Sequence, residues 1–439
     1  MLSVTVATGI RSAGLLAVLL LAAGCGDSKS GNDGTGLYAA NYNPALDPFN
    51  ENVVTHYQLT MDPADWDAIV RDPWNDTWRR ATLDWEGETW HDVAVRASGQ
   101  RSRVAGNPKP SLRIDFNEFV PDRKFHRPHL STVKMVSDTN DPAIMRRRIE
   151  DGIYRAAGLP APRCVHARLT VNGAYKGVYQ PEERMSKGFL REHFGDAALN
   201  QLYEFSPGPG AFAGHADDVT WGGEDPSLYV PHLFVPELDG LDPSQPGVHV
   251  ADPAAVRDFV RTVNSASWAD IAGAVDIDLF CRFMAAEVAT AEADGYVAYR
   301  VGGAPGSPPF RSANFRIYFN PVQRKWIVLA WDREEGYWAA RDSILTGFDQ
   351  RILTRNLILS DPGTLGRYRA ILGDLVRGPA SVEAIDARID FIARQIETAV
   401  AEDPYKTAGT IENWRAHLET IRTLVRQQNA MILSQLGSQ

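Results

Sequence analysis

A change of periodicity near the middle of the chain constrains its fold more than any other feature. Through roughly the first 180 residues, apolar side chains recur at every second position in short runs. From residue 254 onward they recur at every third and fourth position in long ones. A period of two places alternate side chains on opposite faces of a strand, and a period near 3.6 lines one face of a helix. The strand-like runs are 53–61, 78–85, 89–98, 111–116, 163–171 and 174–180. Glu86-Gly87 separates the second and third, and Asn172-Gly173 separates the last two. Asn-Gly between alternating runs is the strongest short hairpin signal. Two helices interrupt this half. One is capped by Asp62, with Pro63 first, and runs through Val70. The other is capped by Asp141, with Pro142 first and Met145, Ile149 and Ile153 on one face, and ends at Gly158 and Pro160.

The second half predicts helices over 254–263, 278–293, 382–400 and 411–436, with one further hairpin, 313–319 and 325–331, around Asn320-Pro321. The stripe Ile385, Ile389, Ile392, Ile396 is core packing and carries no chemistry. Residues 206–250 are rich in Pro, Gly and Asp without periodicity and read as an insertion or connection. The expected class is therefore α+β, with a β-rich region over 49–245 and a helical region over 246–439.

The first residues address the chain to a compartment. An apolar run, 15–23, follows Arg11 and ends in Leu21-Ala22-Ala23-Gly24-Cys25. A positive residue, a short apolar core and small residues before a cysteine read as a lipoprotein signal peptide, residues 1–24, with Cys25 the lipidated position. The run is too short for a permanent span. Residues 25–48 read as a flexible tether, since 26–36 are almost all Gly, Ser, Asp, Asn and Thr. The expected location is extracytoplasmic, on a membrane through lipidated Cys25. Cys164 and Cys281 allow either a disulfide or two buried thiols.

Net charge is −10, which argues against a nucleic-acid partner. Yet residues 96–148 hold twelve Lys and Arg against five Asp and Glu. A basic block in an acidic protein fits a phosphate or polyanion site, or equally a solvated basic face. The chain has no Gly-x-x-x-x-Gly-Lys-Ser/Thr loop, no Gly-x-Gly-x-x-Gly, no His-Arg-Asp and no Asp-Phe-Gly. It also lacks Gly-x-Ser-x-Gly and His-Glu-x-x-His. His126 and His129 read as residues of a solvated loop.

An ordered set of short motifs remains. Arg96-Ala97-Ser98-Gly99 precedes Lys109-Pro110-Ser111-Leu112. An Asp-Pro-initiated helix then runs to Gly158-Leu159-Pro160-Ala161-Pro162. The hairpin from Val171-Asn172-Gly173 to Tyr179 leads to Glu183, followed by Leu202-Tyr203-Glu204-Phe205. Asp294-Gly295-Tyr296, Asn314-Phe315 with Tyr318, and Trp331-Asp332 with Glu334 complete the series. In order and spacing this resembles the CotH-like kinase family, over about residues 53–337.

The resemblance implies an atypical protein-kinase-like bilobal fold that uses ATP and Mg²⁺ or Mn²⁺ to phosphorylate Ser or Thr of a protein at the cell envelope. It implies Lys109, with Arg96 and Arg113 of the basic block, on the nucleotide phosphates, and Glu183 holding Lys109 in place. Asp332, Asn314 and Glu334 would be metal ligands, with Glu334 where the family has a second Asp and Glu335 beside it. Asp294 would orient the acceptor hydroxyl. Taken as residue types alone, Lys109 and Glu183 make a surface ion pair or no contact. In the same plain terms Asp332 belongs to an acidic loop, Asp294 to a polar helix end and Asn314 to a strand edge. Two other readings stand: a catalytically inactive, lipid-anchored surface binding or assembly protein on the same fold, and a glycosidase built on Asp332, Glu334 and Asp294.

Overall fold

The structure is a computed structural model and describes residues 46–99, 101–196, 199–206, 218–238, 251–265, 267–299 and 310–437. The expected leader, Cys25, nearly all of the expected tether and much of the Pro/Gly-rich stretch lie outside the described residues.

Seven strands close into a barrel. They are β1 (Thr55–Met61), β2 (Arg79–Trp85), β3 (Glu88–Ala97), β4 (Leu112–Asp115), β5 (Thr132–Val136), β6 (Ala167–Val171) and β7 (Ala174–Glu183). Their order around the barrel is β1-β2-β3-β4-β5-β7-β6. All neighbours are antiparallel except β6 and β1, which pair in parallel and close the ring. Closure removes the open edges that would otherwise invite strand addition. The alternation seen in the sequence puts Tyr57, Leu59, Leu83, Trp85, Val95, Ile114, Met135 and Leu169 inside. Helix α1 (Pro63–Arg71) follows β1, capped by the Asp62 side chain as expected. Helix α2 (Arg146–Ala156) links β5 to β6.

The remainder is built on a second, four-stranded sheet. Its elements are α3 (Lys187–Phe194), β8 (Leu202–Phe205), β9 (Phe234–Pro236), α4 (Pro253–Ser265), α5 (Trp268–Ala274) and α6 (Ile277–Ala289). Then come the short pair β10 (Ala298–Tyr299) and β11 (Phe310–Arg311), β12 (Phe315–Asn320) and β13 (Lys325–Ala330). Three long helices follow, α7 (Pro362–Arg377), α8 (Val382–Glu402) and α9 (Ile411–Gly437). The sheet order is β13-β12-β8-β9. The expected isoleucine stripe of α8 lies in the large core that α6, α7 and α9 share.

Several boundaries differ from the expectation, each for a physical reason. β8 and β9 come from the part assigned to the β-rich half, but they pair with β12 from the second. Helix α2 likewise packs Ile149, Ile153 and Tyr154 into the core of the helical part. The two cores are therefore interleaved in sequence, and no single cut near residue 245 separates them. Helix α2 starts at Arg146 and not at Pro142, because Ile144 takes a positive φ of 57°. Asp141 still does a cap's work: its carboxylate accepts the backbone N–H groups of Ala143, Met145 and Arg146. β5, α3, α5 and α7 were not anticipated, being short or weakly periodic. His126 is buried between Trp85 and Trp90, with its Nε2 3.0 Å from the Glu88 carboxylate, so it is no part of a solvated loop. Cys164 and Cys281 are free, buried thiols.

Lys109 supplies the main correction. It lies in the loop before β4, and its ammonium meets Asp403, just after α8, at 2.8 Å, with both side chains buried. Asp403 also accepts N–H groups from Val178 at 3.0 Å and Tyr405 at 2.8 Å. Gly177 is required opposite: a Cβ there would stand 2.3 Å from the Asp403 carboxylate. This pair fastens the C-terminal helices to the barrel. Removing one partner of a buried pair strands the other, at about 3–5 kcal/mol. Asp403→Ala is expected to lose stability on that scale in chemical denaturation, and Gly177→Ala to lose stability as well.

Candidate functional site

A cavity of about 580 Å³ lies between the barrel and the second sheet. β5 supplies its barrel wall through Thr132, Lys134 and Val136, which alternate to one face. β4 adds Arg113, and the turn after β3 adds Ser98 and Gly99. The opposite wall carries Glu204, Arg316, Trp331, Asp332 and Glu334, with Asp294 and Asn314 nearby.

The barrel wall is organised by register. Arg96 faces Arg113, Arg113 faces Lys134, and Lys134 faces Glu182 across β3, β4, β5 and β7. Three cations side by side repel one another unless an anion sits among them. Burial pushes the Arg113 guanidinium down to about 10, with Arg184 and Arg96 adding to the effect. Its Nε is buried with no partner among the described residues. Arg96 turns outward, to Asp76 at 2.9 Å and over the ring of Trp78, and does not line the cavity.

Glu182 gathers the cations. It contacts Lys134 at 3.0 Å and Arg147, at the start of α2, at 2.8 Å. Both cations also reach Oδ1 of Asp332, at 3.3 and 3.0 Å, and Arg147 pairs with Glu334. Asp332 follows β13 in a left-handed conformation, φ 53°. It lies deep in the protein yet keeps 35% of its side-chain surface accessible, because it lines the cavity. Burial opposes its charge, but Lys134 and Arg147 outweigh burial and hold the carboxyl well below the ordinary range. Burial alone would depress Lys134; Glu182 and Asp332 leave it above its ordinary value. Burial raises Glu334, with Arg147 pulling against it and Asp332 adding to it.

The expected Lys109–Glu183 pair is not made. Glu183 bonds Arg163 at 2.7 Å, and burial lifts its carboxyl against that pull. Adjacent strand residues point to opposite faces, so Glu182 reaches the cavity network and Glu183 turns away from it. The lysine–glutamate pair of this cavity is Lys134 with Glu182. Sequence reasoning missed both, together with Arg147 and Arg316. The signals were present but weak: a lone lysine inside Val133-Lys134-Met135, and Arg146-Arg147-Arg148 opening a helix. Arg316 is buried against Trp331, 3.6 Å from its ring, and pairs with Glu204 and Glu237.

Asp294 lies five residues beyond α6 and does not close it. Its Oδ2 accepts from Asn314 Nδ2 at 3.2 Å and lies 3.8 Å from Arg101, which also pairs with Glu335. Asn314 takes φ 47°. Left-handed backbone at both Asn314 and Asp332 is strain of a kind that gathers at working sites. Gly295 and Gly336 stand where a Cβ would strike the carboxylates of Glu287 and Glu150, at 2.3 and 2.4 Å. Those buried acids fix the two loops; Glu287 accepts the N–H groups of Tyr296 and Val297.

Among the described residues, no three His, Cys, Asp or Glu side chains converge as a preformed metal cage. The oxygen donors present, Asp332, Glu334, Asp294 and Asn314, fit in kind a hard cation held by one or two carboxylates plus a ligand's phosphates. Asp332 and Glu334 converge on the same arginine, so they do not flank a sugar from opposite sides as a glycosidase pair must.

A family profile described as CotH kinase protein matches residues 95–432. The chain belongs to this family. The match begins within β3, so β1 and β2 precede it. The chain is also 22% identical over 406 residues to the inner spore coat protein H of Bacillus subtilis (strain 168), covering 88% of this chain and 99% of that protein. No helix among the described residues is long and apolar enough to cross a membrane.

An Asp332 carboxyl held below its unfolded value stabilises the fold above the unfolded pKa. That contribution is lost as pH falls toward the folded value. Asp332→Asn is therefore expected to be less stable than the wild type in urea at pH 7. The difference should shrink below pH about 4, where the wild-type group also begins to lose its advantage.

Proposed function

We propose that this member of the CotH kinase protein family is an ATP- and metal-dependent protein kinase acting on Ser or Thr of an exported or surface protein. The observation that carries the reading is the cavity in which Arg113 and Lys134 stand side by side opposite Asp332, with Asp294 and Asn314 bonded to one another nearby. Phosphoryl transfer needs cations on the phosphates, a metal and a carboxylate near the acceptor, and little else. Lys134, held by Glu182, takes the phosphate role first given to Lys109, with Arg113 beside it. Lys109 is assigned to the structural pair with Asp403. Asp332, with Glu334 and Asn314, would hold Mg²⁺ or Mn²⁺, which supplies charge neutralisation on the phosphates. Asp294 would orient the acceptor hydroxyl, with Asn314 holding its carboxylate. The related protein named as a spore coat component and the leader ending at Cys25 support placement at the cell envelope, tethered by lipid.

One observation favours the second reading, a binding or assembly protein without catalysis. Asp332 and Glu334 are both engaged by Arg147, and no metal cage is preformed among the described residues. The two readings part on one assay, with radiolabelled ATP, Mg²⁺ or Mn²⁺, and a generic acceptor. Metal-dependent labelling is expected, falling about a hundredfold or more in Asp332→Ala and Lys134→Ala. Unchanged labelling in Asp332→Ala removes it from the reaction. No labelling by the wild type, with a surface partner still bound, favours the binding protein.

A further inference from the structure

The nucleotide reading leaves open what meets the base, and the far end of β5 bears on this. Thr132, Lys134, Val136 and Asp138 occupy alternate positions and all line the cavity. Lys134 sits beside Asp332; Asp138 lies four residues on, at most about 13 Å away at the rise of a strand. A nucleoside triphosphate covers such a span from its terminal phosphates to its base.

Asp138 is built in. It is 4% exposed and held at φ 53°. Its carbonyl accepts from Thr407 Oγ1 at 3.1 Å and from the Asp141 N–H at 3.2 Å. Its Oδ1 accepts from Gln180 Nε2 at 2.8 Å. Its Oδ2 is buried and has no partner among the described residues. A buried polar oxygen left unpaired is costly and calls for an explanation. Asp138 is one of the residues that line the ligand-sized cavity.

We propose that Asp138 reads the base of the bound nucleotide, donating one hydrogen bond from Oδ2 to a ring acceptor and so selecting adenine over guanine. This rests on the nucleotide reading above. Donation requires a neutral carboxyl, and the surroundings favour one. Burial lifts the group to about 8 and Asp141 adds to this, while Gln180, Lys109 and Arg147 pull the other way. Cys164 and Tyr179 also face it, and burial raises both, keeping them uncharged. Below about pH 8, Oδ2 carries the proton and matches N1 of adenine, which accepts. Above it, the carboxylate only accepts, and matches the N1–H and amino group of guanine.

The experiment is calorimetric binding of ATP and of GTP, each with Mg²⁺, to the whole chain from pH 6.5 to 8.5, below the range in which guanine itself loses its N1 proton. The ratio of the two affinities cancels titration of the phosphates and of the cations beside them. At pH 6.5 ATP should bind about tenfold more tightly, the worth of one well-placed hydrogen bond. That preference should fall several-fold as the pH rises through 8 to 8.5. Asp138→Asn keeps an acceptor for Gln180 and puts a permanent donor in place of Oδ2, so its ATP preference should not vary with pH. Asp138→Leu should show no preference at any pH. Equal affinities for both nucleotides throughout, or a wild-type pH dependence retained in Asp138→Asn, overturns the assignment while leaving nucleotide binding intact. Binding of neither nucleotide by the wild type overturns the nucleotide reading and this inference with it.

Discussion

The contacts of Glu182 with Lys134 and Arg147, and of both cations with Asp332, tie together the parts that form the site. Lys134 and Glu182 belong to the barrel, Arg147 to α2, and Asp332 to the end of the second sheet. Each charge is costly to bury alone, and each is acceptable only because the others are present. The cavity wall is therefore also a joint. Moving the barrel relative to the second sheet would separate Lys134 from Asp332 and leave an ammonium and a carboxylate short of a partner. Below this joint a second layer of buried acids sets the backbone. Glu150 accepts the N–H of Gly336, and Glu292 that of Asp294.

The row from Arg96 to Glu182 has a different character. Like charges on neighbouring strands are unfavourable, and the fold accepts them on one face of the barrel while the other face is packed with Val95, Ile114 and Val133. Registers are fixed by the apolar face, since a one-residue slip would turn every buried side chain outward. The charged face inherits that register. A specific packing requirement inside the barrel thus determines which cations stand together in the cavity.

Much of the fold was legible in the sequence, because period and turn chemistry are local. Asn172-Gly173 did join β6 to β7, and the helical stripes of α8 and α9 were placed nearly to their ends. β5 was hidden because five residues bounded by irregular loops give too little alternation. The site was less legible than the fold. Asp332, Asn314 and Asp294 line one cavity, and each stands beside or a few residues past an element that the sequence periodicity marks. Lys134 and Glu182 did not declare themselves, because pairing between strands 48 positions apart is a fact of register and not of composition. Glu183 was a miss by one position, the smallest error a strand allows and one that points the side chain to the wrong face.

The closure of the barrel carries a consequence for how such a chain is made. β1 finds its last neighbour in β6, more than a hundred residues later, and Lys109 finds Asp403 294 positions downstream. A chain appearing from its N-terminus thus holds an open strand edge until β6 has emerged, and an uncompensated lysine until nearly all of it is available. The last helices act as proof of completeness: a product cut short before residue 403 keeps the strands of the barrel but not the charge that lets its loop stay buried.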